Sequence, residues 1–326
     1  MRALQVLVTG ANGFLGQVLC ERLEQQQHDV RRGVRLSSNP GNVAIGDIGP
    51  STNWSEVLGL GVEIVIHLAA RAHVMHDKLA DPLASFSAYR RVNVQGTANL
   101  ARQAAQAGVR RFVFISSVKV NGEATPPGQP FTPTDTPSPQ DAYGQSKHEA
   151  EQVLWQVARD TGMEVVIIRP PLVYGPGVKG NFASMVRWVR QGVPLPLGAV
   201  HNRRSLVALD NLVDFMALCA SPERSPKAAN QTFLVSDDDD VSTTELLRQV
   251  AQAYGVPPRL LPIPAGLMRG AARLLGKAAL ADRLLGSLQV DASKARDLLG
   301  WTPPVTMQAQ LRKMALHDAQ QPVMHR

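Results

Sequence analysis

The stretch Gln5-Val6-Leu7-Val8-Thr9-Gly10-Ala11-Asn12-Gly13-Phe14-Leu15-Gly16 decides how the rest of the chain is read. An apolar run ends in three glycines at three-residue intervals, and a helical pattern follows from Gly13 to Gln26. That spacing lets a chain turn tightly out of a strand, bring bare backbone beside a pyrophosphate and pack the next helix closely. The glycines alone say little. The strand before them and the helix after them supply the required context. Gly10, Gly13, Phe14, Leu15 and Gly16 are therefore candidate cofactor-binding residues, with a dinucleotide's phosphates meeting a helix N-terminus.

Outward from this turn, β-rich runs at Gln5 to Val8, His28 to Arg35, Val43 to Asp47, Glu63 to Leu68, Arg111 to Ser116 and Glu164 to Arg169 alternate with helical segments. The helices run from Gly13 to Gln26, Ser85 to Gly108 and Ala142 to Thr161, each long enough for a right-handed crossover. The pattern predicts an α/β fold, a Rossmann-type doubly wound parallel sheet over residues 1–170. After Pro170-Pro171 the alternation breaks down, which predicts a smaller C-terminal substrate-binding lobe over 171–326, with an interleaved boundary.

The stretch Asn121 to Pro139 carries six of the 23 prolines. A long irregular segment inside a compact domain is usually functional, so it is read as an active-site loop. Asp237 to Asp240 is read as a solvated turn, and Ser242-Thr243-Thr244-Glu245 as a capping box opening a helix Leu246 to Tyr254. Ala265 to Leu288 is apolar with Arg269, Arg273, Lys277 and Arg283 spaced along it. Such a pattern suits an anionic membrane surface, but Gly270, Gly276 and Gly286 weaken one continuous helix. It is read as helices covering the lobe.

At 326 residues, 44% hydrophobic and 19% charged, the composition is that of a globular protein with a sizeable core. Cys20 and Cys219 fall in apolar helical stretches, which suggests buried thiols without a disulfide framework, and no metal site is expected. The chain runs from Met1 almost directly into the glycine turn, and no run of about eighteen apolar residues occurs. A cytoplasmic location without stable membrane insertion is expected. The net charge of +7 raises nucleic acid as a partner, but the arginines are scattered and aromatics make up only 5%, so no stacking platform is expected. The positive balance serves equally to attract small anions.

Tyr143 and Lys147 stand four residues apart and share a helix face, so an ammonium can stabilise a phenolate whose ordinary pKa is about 10. A proton donor results. Ser117, closing the strand Phe114-Ile115-Ser116-Ser117, faces the crevice where ligands bind in open α/β sheets and can bond the same substrate oxygen. The second strand ends Val34-Arg35, without the carboxylate that holds NAD ribose. Arg35 suits the 2′-phosphate of NADP, so NADP(H) is preferred and NAD(H) possible. Asp47 and Ile48 are placed to reach the adenine edge, and Leu68, Ala69 and Ala70 let a cofactor lie against the sheet. Asn93 is either a satisfied structural group or part of an active-site relay.

These motifs, with Asn93-x-x-Gly96-Thr97, Arg169-Pro170, Val173-Tyr174-Gly175-Pro176-Gly177 and Leu299-Gly300-Trp301-x-Pro303, resemble the extended short-chain dehydrogenase/reductases of the nucleotide-sugar epimerase/dehydratase family over nearly the full length. The resemblance implies Tyr143 as acid/base, Lys147 lowering its pKa and holding the nicotinamide ribose, and Ser117 binding the reacting oxygen. It places Pro170 and Val173 beside the cofactor and Asn181 and Arg204 on the diphosphate of a UDP-sugar. Val118-Lys119 stands where similar 4,6-dehydratases carry Asp-Glu, so water elimination is not expected. Leu172 replaces an asparagine that contacts substrate in the family.

Within the family, Ser117-Val118-Lys119-Val120-Asn121-Gly122 and Arg169-Pro170-Pro171-Leu172-Val173-Tyr174 are most similar to bacterial 4-ketoreductases that form UDP-N-acetylquinovosamine for surface polysaccharide. That resemblance implies reduction of the 4-keto group of a UDP-2-acetamido-2,6-dideoxy-hexos-4-ulose. The alternatives are a UDP-hexose 4-epimerase and a non-catalytic NADP-sensing protein. A homodimer is expected from Ala98, Leu100, Ala101, Ala104 and Ala105 on one helix and Ala150, Val153, Leu154 and Val157 on another, more apolar surface than one sheet face can bury.

Overall fold

The computed structural model describes residues 2–37, 41–59, 61–72, 82–276 and 278–320. Lys277 of the basic pattern lies outside them. The first half comprises β1 (Gln5–Thr9), α1 (Phe14–Gln25), β2 (Asp29–Val34), β3 (Asn42–Ala44), α2 (Ser55–Leu58), β4 (Ile64–His67), α3 (Pro82–Tyr89), α4 (Thr97–Gln106), β5 (Arg111–Ile115), α5 (Ala142–Thr161) and β6 (Glu164–Arg169). The second comprises β7 (Leu172–Tyr174), α6 (Gly180–Arg190), β8 (Leu206–Ala208), α7 (Leu209–Cys219), β9 (Gln231–Leu234), α8 (Thr243–Ala253), α9 (Ala265–Leu274), α10 (Ala278–Leu285), α11 (Ser293–Leu299) and α12 (Met307–Gln320).

Seven strands form one parallel sheet in the order β3-β2-β1-β4-β5-β6-β9. Its central strands β1, β4, β5 and β6 are largely apolar on both faces because helices cover both. Val6, Val8, Ile64, Ile66, Val113, Ile115, Val166 and Ile168 pack toward α1 and α7. The alternate residues Leu7, Val65, Phe112, Phe114, Val165 and Ile167 pack toward α4 and α5. This is the Rossmann-type doubly wound sheet. Its last strand, β9, and α7, which packs on α1, come from beyond residue 171, so the sheet layer is completed by residues past the expected boundary.

The expected single helix Ser85 to Gly108 is instead α3, a π-helical turn Arg90–Gly96 and α4. The wider turn falls where Asn93 is drawn to backbone outside its own helix. Ala98, Leu100, Ala101, Ala104, Ala150, Leu154 and Val157 are buried within this one chain, and Ala105 and Val153 are half-buried, because α4 packs on α5 as well as on the sheet. Of the residues from which a dimer is expected, Ala105 and Val153 remain partly accessible.

The C-terminal lobe gathers Tyr174, Phe182, Leu206, Leu246, Leu247, Val250 and Leu311 beside the two-stranded parallel ribbon β7-β8. The capping box forms as expected, Ser242 Oγ accepting from Glu245 N at 3.1 Å while Glu245 accepts from Ser242 N, although the helix starts at Thr243. Asp237 to Asp240 is not a solvated turn throughout. Asp237 accepts from Tyr174 Oη at 2.7 Å, Ala208 N at 2.8 Å and Asn211 Nδ2 at 2.7 Å, and Asp240 accepts from Ser205 Oγ and Gln289 Nε2. Only Asp238 and Asp239 are exposed. The proline-rich stretch 121–139 ties the Rossmann layer to the lobe, through Phe131 paired with Val290 and Thr125 N donating to Ser287 O. The expectation that Ala265 to Leu288 covers the lobe is met on one face only. Ala265, Met268, Ala272 and Leu285 pack around Val200, whereas Leu267, Leu274 and Leu275 face solvent.

Candidate active site

The turn between β1 and α1 is built for close backbone approach. Gly10 has φ +71°, and a Cβ there would lie 3.0 Å from Ala69 N. A Cβ on Gly16 would lie 2.2 Å from Gly10 O and 2.7 Å from Ala11 Cα, so any side chain would push α1 off the loop. Gly13 caps α1 with no side-chain acceptor, which leaves the first-turn N–H groups for an anion. Phe14 and Leu15 turn their side chains into the core, so only their backbone can serve the phosphates. The residues present fit a nicotinamide dinucleotide.

Beside this cradle, Leu68, Ala69 and Ala70 continue from β4, half-exposed, with Ala69 N donating to Thr9 Oγ1 at 3.3 Å. Beneath them His67 bridges Thr9 Oγ1 at 2.6 Å and Thr97 Oγ1 at 3.0 Å. Burial, and then the charge of Lys147, push its pKa down to about 3, so it is a neutral structural link. Asn93 is likewise buried and engaged: its Nδ2 donates to Ser146 Oγ and Arg71 O, and its Oδ1 accepts from Arg71 N. It positions α5 and the segment after β4 below the cleft. At the far end, Arg35 Nε lies 3.7 Å from Asp47 Oδ1, the two side chains 75% and 89% exposed. The guanidinium favours a 2′-phosphate and the adjacent carboxylate opposes it. Ile48 packs into the core under α4.

Asp141 caps α5, accepting from Gly144 N at 2.7 Å, and is itself held by Lys119, which also pairs with Glu123 at 2.9 Å. The helix thus begins one residue before Tyr143. Tyr143 is half-buried, its ring edge-on to Tyr89 at 6.3 Å. One turn later Lys147 is buried, donating to Ile115 O at 2.7 Å, with Nζ 4.4 Å from the Phe114 ring centre and 6.0 Å from that of Tyr143. Burial pushes the Lys147 pKa down to about 7, partly offset by the Glu151 carboxylate. Burial first, then Asp141 and Tyr89, push that of Tyr143 up. Tyr143 therefore rests as a phenol, with the Lys147 Nζ 6.0 Å from its ring centre.

Ser117 sits at the C-terminal end of β5, capping the 3-10 turn Val118–Val120 by accepting from Lys119 N at 3.2 Å. Accepting there leaves its own proton for a substrate oxygen. Pro170 is buried and accepts from Val118 N at 3.0 Å, and Val173 packs half-buried against the core behind the cofactor turn. Asn181 is exposed in the first turn of α6. Arg204 is half-buried, its Nη1 donating to Gly286 O at 3.3 Å, and burial lowers its pKa.

One cluster beneath the site escaped the sequence reading. Glu151 accepts from Ser116 Oγ at 2.5 Å and, through both oxygens, from Arg169 Nε at 2.9 Å and Nη2 at 2.5 Å. Arg169 Nη1 also donates to Asn121 Oδ1 at 3.0 Å. These contacts lock α5, the ends of β5 and β6, and the start of the proline-rich stretch together. Glu151, one turn after Lys147 on the same face of α5, was the available signal.

Comparison with known proteins agrees with this geometry. Residues 6–232 match the model of the NAD dependent epimerase/dehydratase family. A UDP-glucose 4-epimerase of Vibrio cholerae is 48% identical over 315 residues, covering 95% of this chain and 94% of its own. Among solved structures, MoeE5 in complex with UDP-glucose and NAD superposes with a TM-score of 0.76 at 25% identity, covering 97% of this chain and 99% of its own. The Bordetella bronchiseptica enzyme WbmG in complex with NAD gives 0.74 at 21% identity, covering 98% and 95%, a likeness of fold. From the glycine cradle to the Ser117, Tyr143 and Lys147 group, this chain belongs to the NAD dependent epimerase/dehydratase family and is a nicotinamide-dependent enzyme.

Proposed function

We propose that the chain is a UDP-hexose 4-epimerase, moving the 4-hydroxyl of a UDP-sugar from one face of the ring to the other through a 4-keto intermediate. The near full-length 48% identity to a UDP-glucose 4-epimerase carries this reading. It ranks the epimerase ahead of the 4-ketoreductase expected from motif resemblance alone. The UDP-glucose complex of MoeE5 supports a UDP-sugar as the substrate class.

The nicotinamide would be held by the turn at Gly10, Gly13 and Gly16, with Lys147 on its ribose, and supplies a two-electron acceptor for the C4 hydrogen. The remaining work falls to side chains. Tyr143 takes the O4 proton as the carbonyl forms and returns it as the alcohol re-forms, and Ser117 donates to the same oxygen. Lys147, one helical turn from Tyr143 with Nζ 6.0 Å from its ring centre, would assist by favouring the phenolate when it carries its proton. Arg204 and Asn181 would hold the diphosphate while the sugar presents its other face. Val118 and Lys119 supply no acid and base for dehydration, since Lys119 is engaged with Asp141 and Glu123.

A second reading, NADPH-dependent reduction of a UDP-4-keto-6-deoxy sugar, rests on Val34 and Arg35 standing where an NAD-retaining enzyme carries an acid at the end of β2. Isotope separates the two. A UDP-hexose deuterated at C4 should keep its deuterium in the epimer, with no added cofactor consumed. Deuterium appearing in added NADP in proportion to turnover would support the reductase instead.

A further inference from the structure

The helical hairpin α9-α10 carries its apolar surface on the wrong side for a lobe cover. Leu267, Gly270, Ala271 and Leu274 follow one another at helical spacing along the outer face of α9, and Leu275 extends the row. Leu267 is 68% exposed, Leu274 90% and Leu275 72%. No residue of α9 is fully buried, and among the described residues Ala265, Met268 and Ala272 are its apolar anchors. Of the nine large apolar side chains exposed among the described residues, four fall between Leu261 and Leu275. Exposed Val193 belongs to a loop that is hydrogen bonded to the segment before α9, through Leu195 N to Arg259 O and Leu261 N to Leu195 O.

The charge around these leucines has one sign. Residues 259–288 hold five basic residues against a single acid, Asp282. Arg259 and Arg273 are exposed, and Arg269 Nε lies 3.9 Å from Asp282 Oδ1. An exposed apolar row flanked by arginines fits a surface that is apolar below and anionic above, which is the boundary of an acidic lipid bilayer. A second copy fits poorly, because a two-fold contact would set like charges against each other. The helices hold ten and eight residues, and among the described residues no helix is long and apolar enough to cross a membrane, so the contact is one of lying on the surface.

We propose that the outer face of α9 docks on an anionic bilayer, the leucines entering the headgroup boundary and Arg259 and Arg273 meeting lipid phosphates. The site at Tyr143 lies on the Rossmann layer, at the N-terminal end of α5.

Co-sedimentation of the full chain with phosphatidylcholine vesicles, with and without about one-third phosphatidylglycerol, tests this. The protein should pellet with the anionic vesicles and remain in solution with the neutral ones. Leu267→Glu with Leu274→Glu should weaken binding by at least about tenfold, with turnover and thermal midpoint in solution as in the wild type. Leu267→Ser with Leu274→Ser makes the same test without added charge, and Arg259→Gln with Arg273→Gln should weaken binding and flatten its salt dependence. Wild-type protein that stays in solution, binds both vesicles equally, or binds unaffected by the leucine changes would overturn the proposal. So would light scattering that shows a dimer becoming a monomer in the leucine variants, which would assign the face to a second copy.

Discussion

Replacing Lys147 with methionine should stabilise the cofactor-free protein while abolishing turnover, and the gain should depend on pH in a definite direction. Lys147 is buried against Ile115 O and the Phe114 ring, and its pKa falls from 10.5 to about 7. Between those values the unfolded chain carries a proton on this lysine that the folded chain does not. Stability therefore rises with pH across that window, and the full cost of burying the ammonium is felt below it. Each unit is ~1.4 kcal/mol, so the wild type should gain on the order of 3 kcal/mol relative to Lys147→Met between about pH 7 and about pH 9.5. Methionine has a similar length and no charge, so packing beside Phe114 survives. Urea denaturation of both proteins at several pH values reads the difference directly, since other titrating groups cancel between them. Parallel stability curves would refute the argument, because they would mean that Lys147 keeps an ordinary pKa in the fold.

Tyr143→Phe should lower turnover by roughly a hundredfold or more while leaving cofactor affinity near wild type, measured by steady-state rates and by fluorescence titration with NADH. Gly16→Ala should destabilise the protein by about 1–3 kcal/mol and weaken dinucleotide binding, because the new Cβ meets backbone at Gly10 and Ala11; a melting curve still shifted by NAD as in the wild type would contradict this. Glu151→Gln should cost about 3–5 kcal/mol by leaving the Arg169 guanidinium buried without its counter-charge, and Glu151→Gln combined with Arg169→Leu should recover much of that loss in urea denaturation.

The sheet was legible because its chemistry is local: alternating apolar strands, helices of crossover length and the glycine turn each announce themselves along the chain. The positions of Ser117, Tyr143 and Lys147 in the fold were legible for a related reason, since each sits at a strand end or on one helix face that periodicity already locates. Contacts between distant segments were not. Asp237 looked like one of four solvated carboxylates until β7, β8 and α7 brought Tyr174 Oη, Ala208 N and Asn211 Nδ2 onto it. Arg35 looked like an isolated phosphate reader until the turn after β3 set Asp47 beside it. How much apolar surface of α4 and α5 is already covered by the packing of one helix on the other does not show in either sequence alone.

The epimerase assignment is tested most directly by incubating the purified protein with UDP-glucose, without added cofactor, and following the anomeric signals by nuclear magnetic resonance. UDP-galactose should appear and approach a fixed ratio that is also reached from UDP-galactose. An unchanged UDP-glucose spectrum, together with NADPH consumption when a UDP-4-keto-6-deoxy sugar is supplied, would contradict the assignment and establish the reductase in its place.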